Sequence, residues 1–286
     1  MTREPTAPSS DPVFLDADMC EPVCMSLPGG DAWVYSRRCP GSPQNQDAAA
    51  CFVLEAGAVL AVADGVGGQA GGASASRLAL SGLAEHVEGL TGGNGAARAA
   101  ILDATEEANR KVLELGVGAG TTLAAAEIFV DTLRPYHVGD SEILVVGQRG
   151  RVRLQTVSHS PVGYAVEAGI LDDEEAIHHD ERHLVSNLVG SAEMRIEVGS
   201  PLSLNLFDTV LLATDGVWDN LHSHEIIDTI RKGSLAQAAG RLAQAAAARM
   251  DEPREGQPSK PDDLTFVLYR RTRSGTGTGA RSQGPG

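Results

Sequence analysis

At 286 residues and 29.8 kDa the chain is sized for one large domain. A hydrophobic share of 42% alongside 33 glycines excludes wholesale disorder, and apolar runs such as 57–63 and 209–213 fall far short of the roughly 20 residues that cross a membrane as a helix. With 23 basic against 38 acidic side chains, the formal charge of −15 and a pI near 4.9 argue against nucleic acid or an anionic membrane as the main partner.

The opening, MTREPTAPSSDPVFLDADM, carries acidic residues and no continuous apolar core, so neither a secretory signal nor an Arg-rich transit peptide is expected, and the cytoplasm is the default location. Residues 1–27 are rich in Pro, Ser and Asp and read as a flexible segment. Cys20, Cys24, Cys39 and Cys51 are too few for a disulfide framework. Their irregular spacing, with no histidine pair beside them, favours unligated thiols over a zinc site.

Short β-rich runs at 32–36, 48–54 and 58–63 predict neighbouring strands. Leu and Ala recur at helical spacing over 73–87 and again over 95–115, where Asn94 is placed to cap. After the turn GVGAG, the segments 121–129, 134–138, 142–146 and 151–157 predict a strand meander. Residues 160–195 mix helical and extended pieces. A strand at 209–213, helices over 223–231 and 235–249, and a last strand at 264–269 complete a domain spanning 28–273, before a Gly- and Ser-rich tail at 274–286. Strands and helices come in blocks, so an α+β fold is expected over a parallel doubly wound sheet.

Apolar strands repeatedly run into an aspartate: AVLAVADGVGG at Asp64, YHVGDSE at Asp140 and VLLATDGVWDN at Asp215, while PDDLTF places Asp262 and Asp263 at the opening of the last strand. One such aspartate is an ordinary turn former. Several together suggest carboxylates gathered at one sheet edge, where desolvation demands a counter-charge and all-oxygen ligands select hard divalent cations such as Mg²⁺ or Mn²⁺. Gly65, Gly67 and Ala70 also spell a G-x-G-x-x-A dinucleotide fingerprint. The second strand with its terminal acid is missing, since one helix leads through TGGNG into another. The permissive backbone of Gly65, Gly67 and Gly68 instead lets the chain approach an ion closely and offer a carbonyl oxygen. No G-x-S-x-G nucleophile elbow occurs.

In order, NQDA, ADGVGG, AGTTLA, HVGDSE, ATDGVWDN and PDDLTFVL resemble the motifs of the metal-dependent protein phosphatases, the type 2C serine/threonine phosphatases. The resemblance runs from about Asn45 to Tyr269, and the stretch containing ILDDEEA and LVG is similar to that of bacterial members. It implies a four-layer α-β-β-α sandwich of two antiparallel sheets flanked by helices, with a two-metal site at one edge. Asp64 would bridge both Mn²⁺ or Mg²⁺ ions, joined by the Gly65 carbonyl, Asp215 and Asp262. Asp140 would take a weaker third ion, and Asp47 and Asp263 would support the ligands from behind. Apart from the resemblance, residues 158–200 are a candidate flap, since loops near active sites often shape specificity. The implied chemistry is hydrolysis of phosphoserine and phosphothreonine by a hydroxide bridging two cations, with Asp64, Asp215 and Asp262 as the catalytic carboxylates and no phosphoenzyme.

Three departures from the family pattern stand out. Ser42 occupies the place of a phosphate-gripping arginine five residues before the motif aspartate, leaving Arg37 or Arg38 as substitutes. Val66 replaces a histidine found in some members as a proposed general acid, and Asp263 replaces the more common asparagine. His137, His159 and His178 are the histidines expected nearest the site, and Trp218 reads as core packing. The expected partners are phosphorylated proteins, substrates of a serine/threonine kinase or of a partner-switching pathway. A regulatory pseudophosphatase that binds without turnover is the alternative that Ser42 and Val66 motivate.

Overall fold

A computed structural model describes residues 13–272 apart from 67, 68, 89, 91–93 and 117. Seven strands form one antiparallel sheet, in the order β1 (Val13–Leu15), β4 (Ala48–Leu54), β5 (Gly57–Ala63), β8 (Leu123–Phe129), β9 (Thr132–Val138) and β12 (Glu197–Val198), with β13 (Leu202–Ser203) also on β9. The second sheet runs β11 (Val152–Gln155), β10 (Glu142–Val146), β14 (Thr209–Ala213), β15 (Leu264–Arg271), β3 (Gly30–Arg37) and β2 (Val23–Leu27). A two-residue ladder joins β6 (Gly65–Val66) to β7 (Gly120–Thr121).

The central strands are apolar on both faces because each face has its own layer to fill. In β5, Ala58, Leu60 and Val62 point between the sheets, whereas Val59, Ala61 and Ala63 point toward α1 (Gln69–Val87) and α2 (Asn94–Glu114). Small residues dominate that second interface, among them Ala75, Ala79, Ala104 and Ala108, so the helices lie close to the sheet. On the opposite side α5 (Asp215–Trp218), α6 (Ser223–Ile230) and α7 (Leu235–Asp251) pack Ile226, Ile230 and Leu242 against Leu211, Phe266 and Leu268. Burial of each such side chain contributes about 1.5–3 kcal/mol. These three apolar clusters define the layers helix, sheet, sheet, helix.

The reading of 1–27 as a flexible segment is corrected from residue 13 onward. β1 pairs with Ala48 to Ala50, and β2 pairs with the whole of Gly30 to Val34. Edge strands of three and five residues, flanked by Pro12, Pro22 and Pro28, carry too short a periodic pattern to stand out. Residues 1–12 and 274–286, the remainder of the expected flexible ends, lie outside the described residues. The 158–200 segment contains α3 (Pro161–Glu167) and α4 (Asp173–Ile177), and is tied back by the Thr121–Val189 bridge, by β12 pairing with β9 and by His159 N–H donating to the Gly139 carbonyl at 2.9 Å.

Candidate active site

Antiparallel register decides which aspartates meet. Ala48 pairs with Ala63, which sets Asp47, just before β4, beside Asp64, just after β5. Leu123 pairs with Val138, so β9 also ends at this edge, followed by Gly139 and Asp140. In the facing sheet Ala213 pairs with Phe266 and with Glu142, and Leu264 pairs with Arg37. The end of β14, carrying Asp215, and the start of β15, carrying Asp262 and Asp263, are therefore neighbours. Five strand ends deliver their carboxylates to one rim of the sandwich.

Each carboxylate is held by its local chain. Asp64 N–H donates to Thr122 Oγ1 at 2.9 Å, while Thr122 N–H and Thr121 Oγ1 both donate to the Asp64 carbonyl at 2.8 Å. Gly65 next to it touches Gly72 so closely that a Cβ would lie 2.3 Å from the Gly72 carbonyl, which is why neither position tolerates a side chain. Thr214 Oγ1 donates to Asp47 Oδ2 at 2.8 Å. Buried Asp263 receives Cys39 N–H on one oxygen and Gln46 N–H on the other, both at 2.7 Å. Asp215 and Asp219 sit four residues apart on the single turn of α5 and share one face.

Electrostatics show how strained this gathering is. Burial, then Asp215, Asp47, Asp262 and Asp140, push the Asp64 carboxyl well above the usual carboxylate range. Burial and Asp215 raise Asp140 to about 8, and burial and Asp215 raise Asp262 to about 6. Asp47 and Asp219 move the same way, in both cases through burial first. Asp140 Oδ1 is buried with no hydrogen-bond partner. A set of oxygen-only donors, mutually repelling and with an orphaned buried oxygen, fits divalent cations.

Because these folded-state carboxyls bind protons more tightly than unfolded ones, the metal-free protein takes up protons on folding. Its stability therefore falls as pH rises from about 4 through about 8. We expect the metal-free melting temperature to drop by several degrees between about pH 5 and pH 8, and saturating Mg²⁺ to remove the drop. A melting temperature flat across that range without metal would contradict this picture.

Beside the rim lies a cleft of about 490 Å³, lined among others by Asp140, Asp215, Asp219, Trp218, Arg182 and His222. Residues 36–251 match the family model described as protein phosphatase 2C. The chain belongs to the protein phosphatase 2C family. It is 31% identical over 195 residues to protein phosphatase PhpP of Streptococcus pneumoniae, covering 65% of this chain and 78% of that protein. Against the serine/threonine protein phosphatase PstP of Mycobacterium tuberculosis it is 30% identical over 217 residues, 73% of this chain but 40% of the longer relative. The solved Streptococcus agalactiae serine/threonine phosphatase superposes with a TM-score of 0.72 at 28% identity, covering 84% of this chain and 99% of that one. The catalytic domain of PstP in complex with two manganese ions gives 0.67 at 26% identity, covering 84% and 97%. The four-layer architecture is thus the type 2C fold.

Within this family member, the two arginines singled out in the sequence are paired with acids. Arg37 Nη2 lies 3.4 Å from Asp251 Oδ2, and Arg38 Nη2 lies 3.1 Å from Asp18 Oδ2 with its Nη1 donating to the Pro43 carbonyl. Arg38 also bears electrostatically on Asp263 of the rim, and a phosphate would compete with Asp18 and Asp251 for these two guanidinium groups. Their nearest acids lie on segments that sequence spacing does not connect to them. Trp218 packs against the helix-side core and donates Nε1–H to the Ala213 carbonyl at 3.0 Å, as expected of a packing residue, yet it also lines the cleft.

Two members of the rim were not predicted. Asp219 is the second acid of DGVWDN, and Lys260, two residues before Asp262, places its ammonium among Asp215, Asp219 and Asp262. The i, i+4 spacing of Asp215 and Asp219 was a usable signal for the first. Nothing in SKPDD marks the lysine.

His137, His159 and Glu197 bring ligand atoms within 4.8 Å of one another. Gly139 N–H and Asn187 Nδ2 both donate to His159 Nδ1, at 3.1 and 2.9 Å, so the ring proton belongs on Nε2, which donates to Glu197 Oε2 at 3.1 Å. A cation there would have to displace that proton. The arrangement instead braces the Gly139–Asp140 turn, since His159 N–H also donates to the Gly139 carbonyl at 2.9 Å. His178 stands farther out, edge-on to His222 at 6.3 Å.

Proposed function

We propose that this chain is a metal-dependent protein serine/threonine phosphatase, hydrolysing phosphoserine and phosphothreonine in proteins with two Mn²⁺ or Mg²⁺ ions. The observation that carries this reading is the convergence of Asp64, Asp140, Asp215 and Asp262 on one rim in a type 2C chain. In this reading Asp64, the Gly65 carbonyl, Asp215 and Asp262 hold the two ions, and Asp140 a weaker third. The manganese-bound catalytic domain of PstP supports that choice of cofactor. When bound, such ions polarise phosphoryl oxygens and lower the pKa of water from 15.7 toward about 7, supplying a nucleophile at neutral pH.

The protein's own part is placement. Thr121 and Thr122 fix the backbone of Asp64, and Thr122 Oγ1 shares a 2.7 Å hydrogen bond with Ser141 Oγ, coupling it to the Asp140 turn. Asp263 and Thr214 hold the approach to Asp47 and its carboxylate. The open cleft receives the phosphorylated segment of the substrate, and the −15 charge is screened over about 8 Å at physiological salt, so the local cations dominate at the reacting phosphorus. Val66 places no imidazole beside the leaving oxygen.

The substrates we propose are phosphoproteins made by a serine/threonine kinase in the same compartment, the cytoplasm. Among the described residues no helix is long and apolar enough to cross a membrane. The test is hydrolysis of a phosphothreonine peptide by purified protein. Turnover is expected to require added Mn²⁺ or Mg²⁺ and to vanish with chelator. Peptide binding without metal-dependent turnover would replace this reading with a pseudophosphatase.

A further inference from the structure

The chain contains three lysines, Lys111, Lys232 and Lys260, and only Lys260 lies in the rim. Its Nζ contacts Asp215 Oδ2 and stands 2.9 Å from Asp219 Oδ2 and 3.1 Å from Asp262 Oδ2. The side chain retains 26% of its exposure, so the ammonium is largely withdrawn from water.

Its backbone is clamped there. Fully buried Asn220 accepts Lys260 N–H on Oδ1 at 2.8 Å and returns Nδ2–H to the Lys260 carbonyl at 2.9 Å. The same Nδ2 donates to the Gly216 carbonyl at 3.0 Å, which ties Lys260 to the turn bearing Asp215 and Asp219. Pro261 follows and fixes φ before Asp262. The lysine is thus built into the carboxylate cage by a buried side-chain clamp.

Resting on the reading of Asp215 and Asp262 as metal ligands, we propose that Lys260 is a tethered competing cation. In the metal-free protein its ammonium neutralises Asp215, Asp219 and Asp262. A divalent ion entering between Asp215 and Asp262 takes over oxygens that the ammonium occupies, and the ammonium moves out toward the cleft. Lys260 thereby weakens metal binding and protects the empty cage from its own repulsion.

The experiment is calorimetric titration of Mn²⁺ into full-length wild type, Lys260→Met and Asp215→Asn, with melting curves of the metal-free proteins. Lys260→Met is expected to bind Mn²⁺ about tenfold more tightly while its metal-free form melts lower than wild type. Unchanged or weaker binding by Lys260→Met, with Asp215→Asn abolishing binding, would overturn the competition but leave the metal site standing. Wild-type affinity in Asp215→Asn would instead overturn the site itself.

A second measurement on the wild type covers the case in which Lys260→Met does not fold without metal. In protein labelled at the lysine ε-carbons, Mg²⁺ is expected to shift the Lys260 resonance and leave those of Lys111 and Lys232 in place. An unmoved Lys260 signal at saturating Mg²⁺ would overturn the proposal.

Discussion

Asp215→Asn is expected to lower phosphopeptide turnover by about a hundred- to a thousandfold, the scale of losing a charge-stabilising group at a reacting centre, with the fold retained. Asp215 is the hub of the rim. Its charge acts on Asp47, Asp64, Asp140, Asp219, Asp262 and Asp263, and raises every one of them. Asparagine preserves shape but removes the negative charge that a divalent ion needs. The same loss relieves repulsion in the metal-free state, so the variant is expected to melt at or above the metal-free wild type while gaining less from Mn²⁺. Rates with saturating Mn²⁺ and melting curves with and without metal check both halves. Near-wild-type turnover would remove Asp215 from the mechanism.

The second large effect is less intuitive. Asp263→Asn installs the residue more common in the family motif and is nonetheless expected to destabilise this chain by about 1–3 kcal/mol, the cost of stranding a buried donor. Asp263 uses its two oxygens separately, one for Cys39 N–H and one for Gln46 N–H. An amide has one acceptor oxygen, so its NH₂ would face a backbone N–H. Gln46 immediately precedes Asp47, and turnover is expected to fall about 10–100-fold as that segment loosens, in the range seen for groups that orient metal ligands. Chemical denaturation and steady-state rates test this. An Asp263→Asn protein as stable and active as wild type would show that the 39–46 segment has another acceptor.

Much of this was legible in the chain. Apolar runs ending near Asp64 and Asp215 mark strand termini because burial of both faces of β5 and β14 imposes nearly continuous hydrophobicity, whereas β9, TLRPYHV, is more mixed and Asp140 was marked by the HVGDSE turn. The α+β class and the two helical blocks followed from periodicity, and the motif order pointed to the family. The edge strands β1, β2, β12 and β13 were not legible, since β1, β12 and β13 have only two or three residues and β2, VCMSL, lies between Pro22 and Pro28 in a Pro-, Ser- and Asp-rich stretch. Likewise the pairing of Arg37 with Asp251 and of Arg38 with Asp18 was not legible, since nothing local connects those positions.

What the sequence by itself determined is local: where strands stop, which stops carry carboxylates, and that so many acids on apolar supports require cations. Tertiary structure alone decided which charges answer one another. Antiparallel register set Asp47 against Asp64, and Asp215 against Asp262, across separations that no local pattern spans. It also drew Lys260 into the cage and paired Arg37 and Arg38 with Asp251 and Asp18. The reason is physical: electrostatic pairing decays within a few ångströms of space and takes no account of distance along the chain.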